Sequence, residues 1–195
     1  MENRSARTAA WSVMTALSLV VAQLGAIRLA PSDVVVRIAL PLSVAAVPVA
    51  LWPLRRRAGI WIMFVGLAAN LAAIVANGGL MPIRHQTVVE AVGATRAERY
   101  SPGRWIVGSK DVLVPPGRGR LLWLGDQIVV GTVHSGFVAS PGDVVVWAGM
   151  LVLGAEVSWT WQRRQRRVPD ASDAVLQATP AAPSDGAEGG AVTSQ

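Results

Sequence analysis

Four long stretches of apolar residues alternate along the chain with short basic clusters and one long, mostly polar segment. The apolar stretches cover residues 8–27, 34–54, 58–77 and 144–161. A helix crosses a bilayer core with roughly 20 apolar residues, and each stretch is near that length. The pattern predicts an all-α integral membrane protein with about four transmembrane helices in a membrane domain of residues 1–165.

The polar segment, residues 78–142, contains prolines and glycines throughout, which disfavour long continuous helices. Its part 121–138 is apolar enough to suggest a fifth spanning helix. Asp126 argues against that alternative, because an aspartate at the bilayer centre costs about 2.5–3.5 kcal/mol on insertion scales. We prefer an interfacial or re-entrant element, with Ile128–Val130 as one strand of a short hairpin.

The basic clusters predict the orientation. Arg4 and Arg7 precede the first stretch, arginines 55–57 follow the second, and four more arginines lie within 163–167. With four helices these clusters share one side, which the positive-inside rule makes the cytoplasm. Both termini are then cytoplasmic, and the 78–142 loop lies outside the plasma membrane.

Two terminal features complete the predicted organisation. The first stretch follows arginines as a signal peptide would, but it lacks a good cleavage site, which favours an uncleaved anchor. The tail of residues 168–195 is rich in Ala, Pro, Ser, Asp and Gly and has almost nothing to bury, so we predict a disordered cytoplasmic tail.

Composition agrees with a membrane protein. Hydrophobic residues make up 52% of the chain and charged residues only 15%, where a soluble domain has nearer a quarter charged. The net charge is +6, but the basic residues flank apolar stretches instead of forming one stripe. Arginine greatly outnumbers lysine, which hints at a GC-rich bacterial genome. We therefore expect membrane lipids as partners, with an envelope protein as a further candidate and no nucleic acid.

The third stretch carries small and amide residues on one helical face. They recur at spacings of seven, four, three and four, and they are Gly59, Gly66, Asn70, Ala73 and Asn77. Such a face lets helices approach closely and form hydrogen bonds across the contact. Asn70 lies about midway along the stretch, so its amide needs a partner, either on another helix or in a ligand inside the bundle.

Two motifs have both a structural and a functional interpretation. Ser140–Asp143 suits a helix start, because serine caps, proline fits the first position and aspartate completes a capping box. The functional alternative is that Asp143 faces Asp126 and binds a cation or polar head group. Asn77–Gly79 suits a helix stop, and its alternative is a small binding nest of backbone amides.

Several of these motifs together resemble a known family of bacterial membrane proteins, domain of unknown function 5317. The residues that carry the resemblance are Gln23, Asn70, Asn77–Pro82, Leu124–Asp126 and Ser140–Asp143. The resemblance covers roughly residues 8 to 165. The chain has Lys110-Asp111 where the family pattern has a lysine-histidine pair. The resemblance supports the fold and implies no activity, since the family has none established.

The chain offers no complete catalytic set and no cofactor or metal site. It has no cysteine, and His85 and His134 lack the paired spacing of metal ligands. Glu156, near the end of the last stretch, is explained by pairing with nearby arginines or by snorkelling, and it is a proton-relay candidate only if it is buried against the other helices. Arg104, Arg118 and Arg120 accompany Trp105 and Trp123 in the loop, which suggests an interfacial belt resting on anionic lipid.

Two functional hypotheses follow. The first is a non-enzymatic protein that binds a partner or lipid at its outer face, with Asn70, Asn77, Asp126 and Asp143 as candidate ligand-binding residues. The alternative is a membrane enzyme or transporter for lipid-linked or small polar substrates that uses Asp126 or Asp143. It predicts a water-filled polar cavity between the helices.

Overall fold

The computed structural model describes residues 2–132 and 137–165 of the chain. His134 and the tail of residues 168–195 lie outside this range, so predictions about them stay predictions. The chain divides into two units, Met1–Val157 and Ser158–Gln195. The helices are α1 (Glu2–Leu29), α2 (Asp33–Leu51), α3 (Ala58–Ala76), α4 (His85–Val92), α5 (Ala94–Ala97) and α6 (Pro141–Gln165).

Four of these helices, α1, α2, α3 and α6, are long and apolar enough to cross a membrane. They correspond to the four predicted stretches, although α1 and α6 extend beyond the predicted ends. Large apolar side chains cover much of their outer surface, including Leu151 on α6, which is 77% exposed. Helices with apolar exteriors are suited to lipid, in which apolar side chains need no shielding from water.

The interior between α1, α2 and α3 is filled with apolar side chains. Towards the α1–α2 connection, one cluster joins residues of all three helices, with Val36, Leu40 and Ala73 almost fully buried. Towards the opposite end, a second cluster surrounds Ile60 and Leu51. Pro41 and Pro48 both lie inside α2, which a membrane helix tolerates because neighbouring groups satisfy the freed carbonyls.

Helix α6 contacts α3 through glycines on both helices. A methyl group on Gly66 would lie 2.5 Å from the carbonyl oxygen of Gly142. About two turns away along α3, a methyl group on Gly149 would lie 2.8 Å from the carbonyl oxygen of Gly59. The two backbones are therefore in direct contact, which confirms the predicted close-packing face of α3.

Between α3 and α6 the chain forms a small folded unit, which we call the cap (the described part of residues 78–140). In it β1 (Met81–Ile83) pairs in parallel with β2 (Asp111–Leu113). A second pair, β3 (Ile128–Val130) with β4 (Phe137–Ala139), is antiparallel. Helices α4 and α5 pack on these strands around the buried side chains of Ile83, Val88, Ala97 and Leu113.

The cap corrects one prediction and confirms another. The fold is mostly helical and not all-α, because two short sheets form in the segment where proline and glycine interrupt helices. Ile128–Val130 is a hairpin strand, as expected, and the described residues of 121–138 contain no spanning helix.

Candidate functional site

The first turn of α6 is held by a reciprocal capping box. The hydroxyl Oγ of Ser140 accepts a hydrogen bond from the backbone N–H of Asp143 at 3.0 Å. The Asp143 carboxylate oxygen Oδ2 accepts one from the backbone N–H of Ser140, also at 3.0 Å. This confirms the structural interpretation of the Ser140–Asp143 motif, since two otherwise free donors of the helix start are satisfied.

Asn70 on α3 joins the same capping box from the neighbouring helix. Its amide Nδ2 donates to Asp143 Oδ1 at 2.7 Å, and its Oδ1 accepts from Ser140 Oγ at 2.8 Å. Asn70 and Ser140 are buried, with exposed fractions of 8% and 0%. The predicted interhelical hydrogen bond of Asn70 is therefore present, and it links α3 to the start of α6. Gly142 makes room for this amide, because a methyl group there would clash with Asn70 Oδ1.

Asp126 forms a bidentate ion pair inside the cap. Lys110 Nζ donates to its two carboxylate oxygens at 2.9 and 2.7 Å. Asp126 is only 1% exposed, whereas 29% of the Lys110 side chain is exposed. The backbone N–H of Asp126 donates to the carbonyl of Pro82 at 3.1 Å. Gly125 allows this close approach, because a methyl group there would clash with the same carbonyl.

Burial and neighbouring charges shift the pKa values of this ion pair. Burial raises the pKa of Asp126 to about 7, opposed by the Lys110 ammonium and reinforced by the charges of Asp111 and Asp143. Burial lowers the pKa of Lys110, but attraction to Asp126, Asp111 and Asp143 outweighs it, and the pKa lies above its usual range. The lysine is therefore charged over the physiological range, whereas the proton occupancy of Asp126 changes near neutral pH.

Asp111 adds a third carboxylate beside Lys110. Its Oδ2 accepts a hydrogen bond from Ser109 Oγ. Its Oδ1 is buried and has no hydrogen-bond partner among the described residues. Within residues 2–132 and 137–165, no group of three or more His, Asp or Glu side chains is arranged to hold a metal ion. The acidic side chains here are organised around the lysine.

Asn77 ties the end of α3 to the cap. Its Nδ2 donates to the carbonyls of Ala73 and Arg120, each at 2.7 Å, and its Oδ1 accepts from the Arg120 backbone N–H at 3.1 Å. Helix α3 ends at Ala76, and Gly78 and Gly79 have φ angles of 74° and 89°. The predicted helix stop is thus present, and the Asn77 amide is occupied by the chain itself.

The four predicted site residues therefore fall into three groups. Asn70 and Asp143 are in direct contact, Asp126 is held by Lys110, and Asn77 is held by Arg120. Asp126 is near enough to Asp143 for its pKa to be affected, but each carboxylate has its own partner. The role of Lys110 was missed, although it is the only lysine in the sequence.

Glu156 has a partner that the sequence did not predict. Its Oε1 accepts a hydrogen bond from the backbone N–H of Ala58 at 2.9 Å, at the start of α3. Its other oxygen, Oε2, is buried without a partner among the described residues. We expected pairing with nearby arginines or snorkelling. The described residues include no such ion pair, and the side chains of Arg164, Arg166 and Arg167 lie outside them. The carboxylate caps the N-terminus of α3, where the helix dipole favours negative charge.

A cleft of about 600 Å³ lies between the α1–α2 connection and the cap. Asp33 lies on one wall and bonds Arg37 Nε through its Oδ2 at 3.0 Å. The opposite wall carries Arg104 and Trp105, whose Nε1 donates to the Ser109 carbonyl at 2.6 Å. The cleft is lined by Ser32, Asp33, Pro102, Gly103, Arg104, Trp105 and Val107.

The surface of the cap carries a set of exposed arginines. Within the described part of the chain, none of their guanidinium groups forms an ion pair with a carboxylate. The set comprises Arg84, Arg96, Arg99, Arg104, Arg118 and Arg120. Large apolar side chains are exposed nearby in sequence, among them Val107 at 81% and Trp123 at 65%. Exposed guanidinium groups together with exposed apolar tips are typical of a surface that meets lipid head groups.

Comparison with known proteins identifies the family. The model of a family of unknown function, DUF5317, matches residues 8–154, so the chain belongs to that family. The resemblance seen in the sequence motifs is thereby confirmed. No curated protein and no solved structure matches the chain.

Proposed function

We propose that this member of DUF5317 is a multi-pass protein of the bacterial plasma membrane that binds lipid at its outer face through the cap. Helices α1, α2, α3 and α6 cross the bilayer, both termini are cytoplasmic, and the cap rests on the lipid head groups. The orientation is supported by the arginine clusters at 55–57 and 163–167, which four membrane crossings would put on one side, the cytoplasmic one by the positive-inside rule.

The observation that carries the proposal is the set of six exposed cap arginines, which form no ion pair with a carboxylate of the described residues. The cap segment, residues 78–140, contains seven basic and four acidic residues. Lys110 forms an ion pair with Asp126, so the positive charge on the exposed surface of the cap comes from its arginines. Guanidinium groups bind phosphate oxygens through two parallel hydrogen bonds, and each one near an anionic surface contributes about 1 kcal/mol.

Apolar side chains of the cap favour lipid over a purely polar partner. Val107 and Trp123 are mostly exposed, and Phe137 is half exposed. Phe137 packs edge-on against Trp147 of α6, with ring centroids 6.0 Å apart. Aromatic rings at this level belong to the interfacial belt of a membrane protein.

The described structure gives less support to an enzyme or transporter. Such a protein needs a polar, hydrated passage or pocket between its helices. The interior between α1, α2 and α3 is instead filled by two apolar clusters. Asp126 and Asp143, the carboxylates expected to act in that alternative, are engaged with Lys110 and Asn70.

Single-cysteine labelling in intact cells tests the orientation. The chain has no cysteine, so Thr95→Cys on the exposed surface of the cap and Ala174→Cys in the tail each provide one reactive site. We expect an impermeant reagent to label position 95 and not position 174. If position 174 is labelled and position 95 is not, the protein has the opposite orientation, and the proposed one is wrong.

Amide hydrogen exchange of the cap tests lipid binding. The purified full-length protein is reconstituted in nanodiscs of neutral lipid, with and without an anionic phospholipid. We expect anionic lipid to slow exchange in the cap and high salt to abolish the slowing. The double substitution Arg118→Gln with Arg120→Gln should remove about 2 kcal/mol of attraction and most of the effect.

A matched variant changes the cap charge by the same amount in the opposite direction. Glu90→Gln with Glu98→Gln removes two exposed acidic groups and should strengthen the response to anionic lipid. If cap exchange is the same in neutral and anionic nanodiscs, lipid binding by the cap is wrong, and a protein partner at this face becomes the hypothesis to pursue.

A further inference from the structure

We propose that the cleft between the α1–α2 connection and the cap binds a lipid head group that carries both a phosphate and a primary ammonium, as phosphoethanolamine does. The inference rests on the proposed function, because it places the cap at the level of the lipid head groups. It goes further by naming the site and the chemistry of its ligand.

The position of the cleft suits a head group. Its walls are Ser32 and Asp33, where the chain passes from α1 to α2, and the cap segment 102–107. Leu29, the last residue of α1, is 84% exposed. A cleft beside the ends of two apolar helices is within reach of a lipid whose tails lie along those helices. Its volume of about 600 Å³ is in the ordinary range for small-molecule sites.

One wall of the cleft provides a cation for the phosphate. Arg104 is the only basic residue that the described part of the chain contributes to the lining. Its side chain is exposed, and none of the described carboxylates pairs with it. Its backbone is fixed by the neighbouring strand, since the N–H of Leu113 donates to the Arg104 carbonyl at 3.1 Å. The guanidinium is thus free to bind phosphate oxygens from a fixed point of attachment.

The other wall provides an anion for the ammonium. Asp33 is the only acidic residue among the described residues that line the cleft. Arg37 occupies its Oδ2, whereas no hydrogen bond among the described residues uses its Oδ1. The Asp33 side chain is 42% exposed, so this second oxygen is available to an ammonium N–H donor.

Trp105 contributes a second contact for a cation. Its indole Nε1 is bound to the Ser109 carbonyl, and the partly buried ring is therefore held in one orientation at the cleft. A cation over an indole face is attracted to the negative face of the ring. Asp33 on one wall favours a positive group and Arg104 on the cap wall favours a phosphate, while the Trp105 ring on the cap wall offers the positive group a second contact.

This arrangement discriminates among phospholipids. A head group with a phosphate and neutral hydroxyls satisfies Arg104 but places no cation near Asp33. A quaternary ammonium can lie over Trp105 but has no N–H to donate to the Asp33 carboxylate. A primary ammonium satisfies both contacts, so we expect phosphatidylethanolamine to bind more tightly than phosphatidylglycerol or phosphatidylcholine.

Native mass spectrometry of the full-length protein tests this preference. The protein is released from nanodiscs that contain phosphatidylethanolamine and phosphatidylglycerol in equal amounts, and the bound lipids are counted. We expect Asp33→Asn to lower the preference for phosphatidylethanolamine by about tenfold, the effect of one charge-assisted hydrogen bond. Arg104→Gln should weaken both lipids, because each carries the phosphate.

Two control variants separate the cleft from indirect effects. Arg37→Gln breaks the same ion pair as Asp33→Asn but keeps the Asp33 carboxylate, so it should retain the preference. Arg118→Gln removes an exposed cap arginine outside the cleft and should also retain it. Free phosphoethanolamine is then added as a competitor. If it displaces bound phosphatidylethanolamine, the head group alone is recognised. If the lipid stays bound, the lipid tails contribute to binding.

The proposal is overturned if wild-type protein shows no preference between the two lipids, or if Asp33→Asn and Arg104→Gln bind both as the wild type does. Loss of the preference in Arg37→Gln as well would assign the effect to the ion pair and also overturn it. The hydrogen-exchange experiment with Arg118 and Arg120 does not involve the cleft. Its outcome therefore shows whether the cap binds lipid independently of whether this site exists.

Discussion

The side chains of Asn70 and Asp143, 73 positions apart in the chain, meet at an Nδ2–Oδ1 distance of 2.7 Å. The same amide accepts a hydrogen bond from the buried hydroxyl of Ser140. One side chain of α3 thus satisfies both members of the α6 capping box. Removing it leaves the O–H donor of Ser140 and the Oδ1 acceptor of Asp143 without their partners, and Ser140 is fully buried, where no water can replace the lost bond.

Asn70→Ala should therefore destabilise the protein by about 1–3 kcal/mol, the cost of leaving buried polar groups without hydrogen bonds. Unfolding in mixed detergent micelles, followed by tryptophan fluorescence, measures the change. Gln86→Ala serves as a control, because its amide bonds Glu90 on the exposed surface of α4. Equal stability of Asn70→Ala and Gln86→Ala would show that the interhelical link contributes nothing measurable.

Two glycines of the same helix should respond oppositely to alanine. A methyl group on Gly142 would clash with Asn70 Oδ1, whereas one on Gly154 would meet no atom within 4 Å. Gly142→Ala should push α6 away from α3 and destabilise the protein by about 1–3 kcal/mol. Gly154→Ala should be neutral or stabilising, because alanine is the better helix former by up to about 1 kcal/mol. The same unfolding assay compares the two, and equal effects would refute the close contact.

Lys110→Met should leave the Asp126 carboxylate buried without its counter-ion. Removing one partner of a buried ion pair typically destabilises a protein by about 3–5 kcal/mol. Replacing both groups, in Lys110→Met with Asp126→Leu, should restore much of the loss, since apolar pairs often replace buried ion pairs without penalty. A double-mutant cycle on unfolding free energies measures the coupling, and additive effects of the two changes would contradict the ion pair.

The raised pKa of Asp126 also gives a direction for pH dependence. Burial raises it from 3.8 to about 7, so the folded state holds a proton that the unfolded chain has released between those pH values. The contribution of this group to the free energy of unfolding therefore falls as the pH rises from 3.8 to about 7. Asp126→Asn should remove that part of the pH profile. An identical slope in wild type and variant would rule out Asp126 as its source.

Glu156 should stabilise α3 as a helix cap and not through its charge alone. Glu156→Ala removes the acceptor of the Ala58 N–H and should cost about 0.5–2 kcal/mol. Glu156→Gln keeps a carbonyl oxygen at the same place and should lose only the dipole contribution, about 0.3–1 kcal/mol. Thermal unfolding in detergent ranks the two. A glutamine variant as unstable as the alanine variant would mean that charge, not hydrogen bonding, is what matters.

The helices and their close-packing faces were predictable because each depends on a local pattern. The length of the apolar stretches and the repeat of small residues, such as Gly59 and Gly66, are visible in one helix at a time. The capping box of Ser140 and Asp143 is likewise confined to four positions. Even the partner of Asn70 could be expected to lie on another helix, because an amide within an apolar helix requires one.

Contacts between distant segments were not predictable in the same way. Lys110 and Asp126 are 16 positions apart, and only the pairing of β1 with β2 and of Asp126 with Pro82 brings them together. Glu156 meets Ala58 because the glycine contact fixes how far α6 runs along α3. A sequence shows that a carboxylate needs a partner, but the partner depends on a register that is set elsewhere in the chain.

The hydrogen bond of Asn70 has a consequence for the order of assembly during synthesis. On the proposed topology, α3 enters the membrane while its partner helix is still unsynthesised, because the whole cap lies between them. Helix α1 contacts α2, and α2 contacts α3, so these three helices can assemble in sequence order, but Ser140 and Asp143 arrive only after the cap has been translocated. Until then α3 exposes its glycines and an amide without its native partner. Arrival of α6 closes that exposed face and completes the bundle.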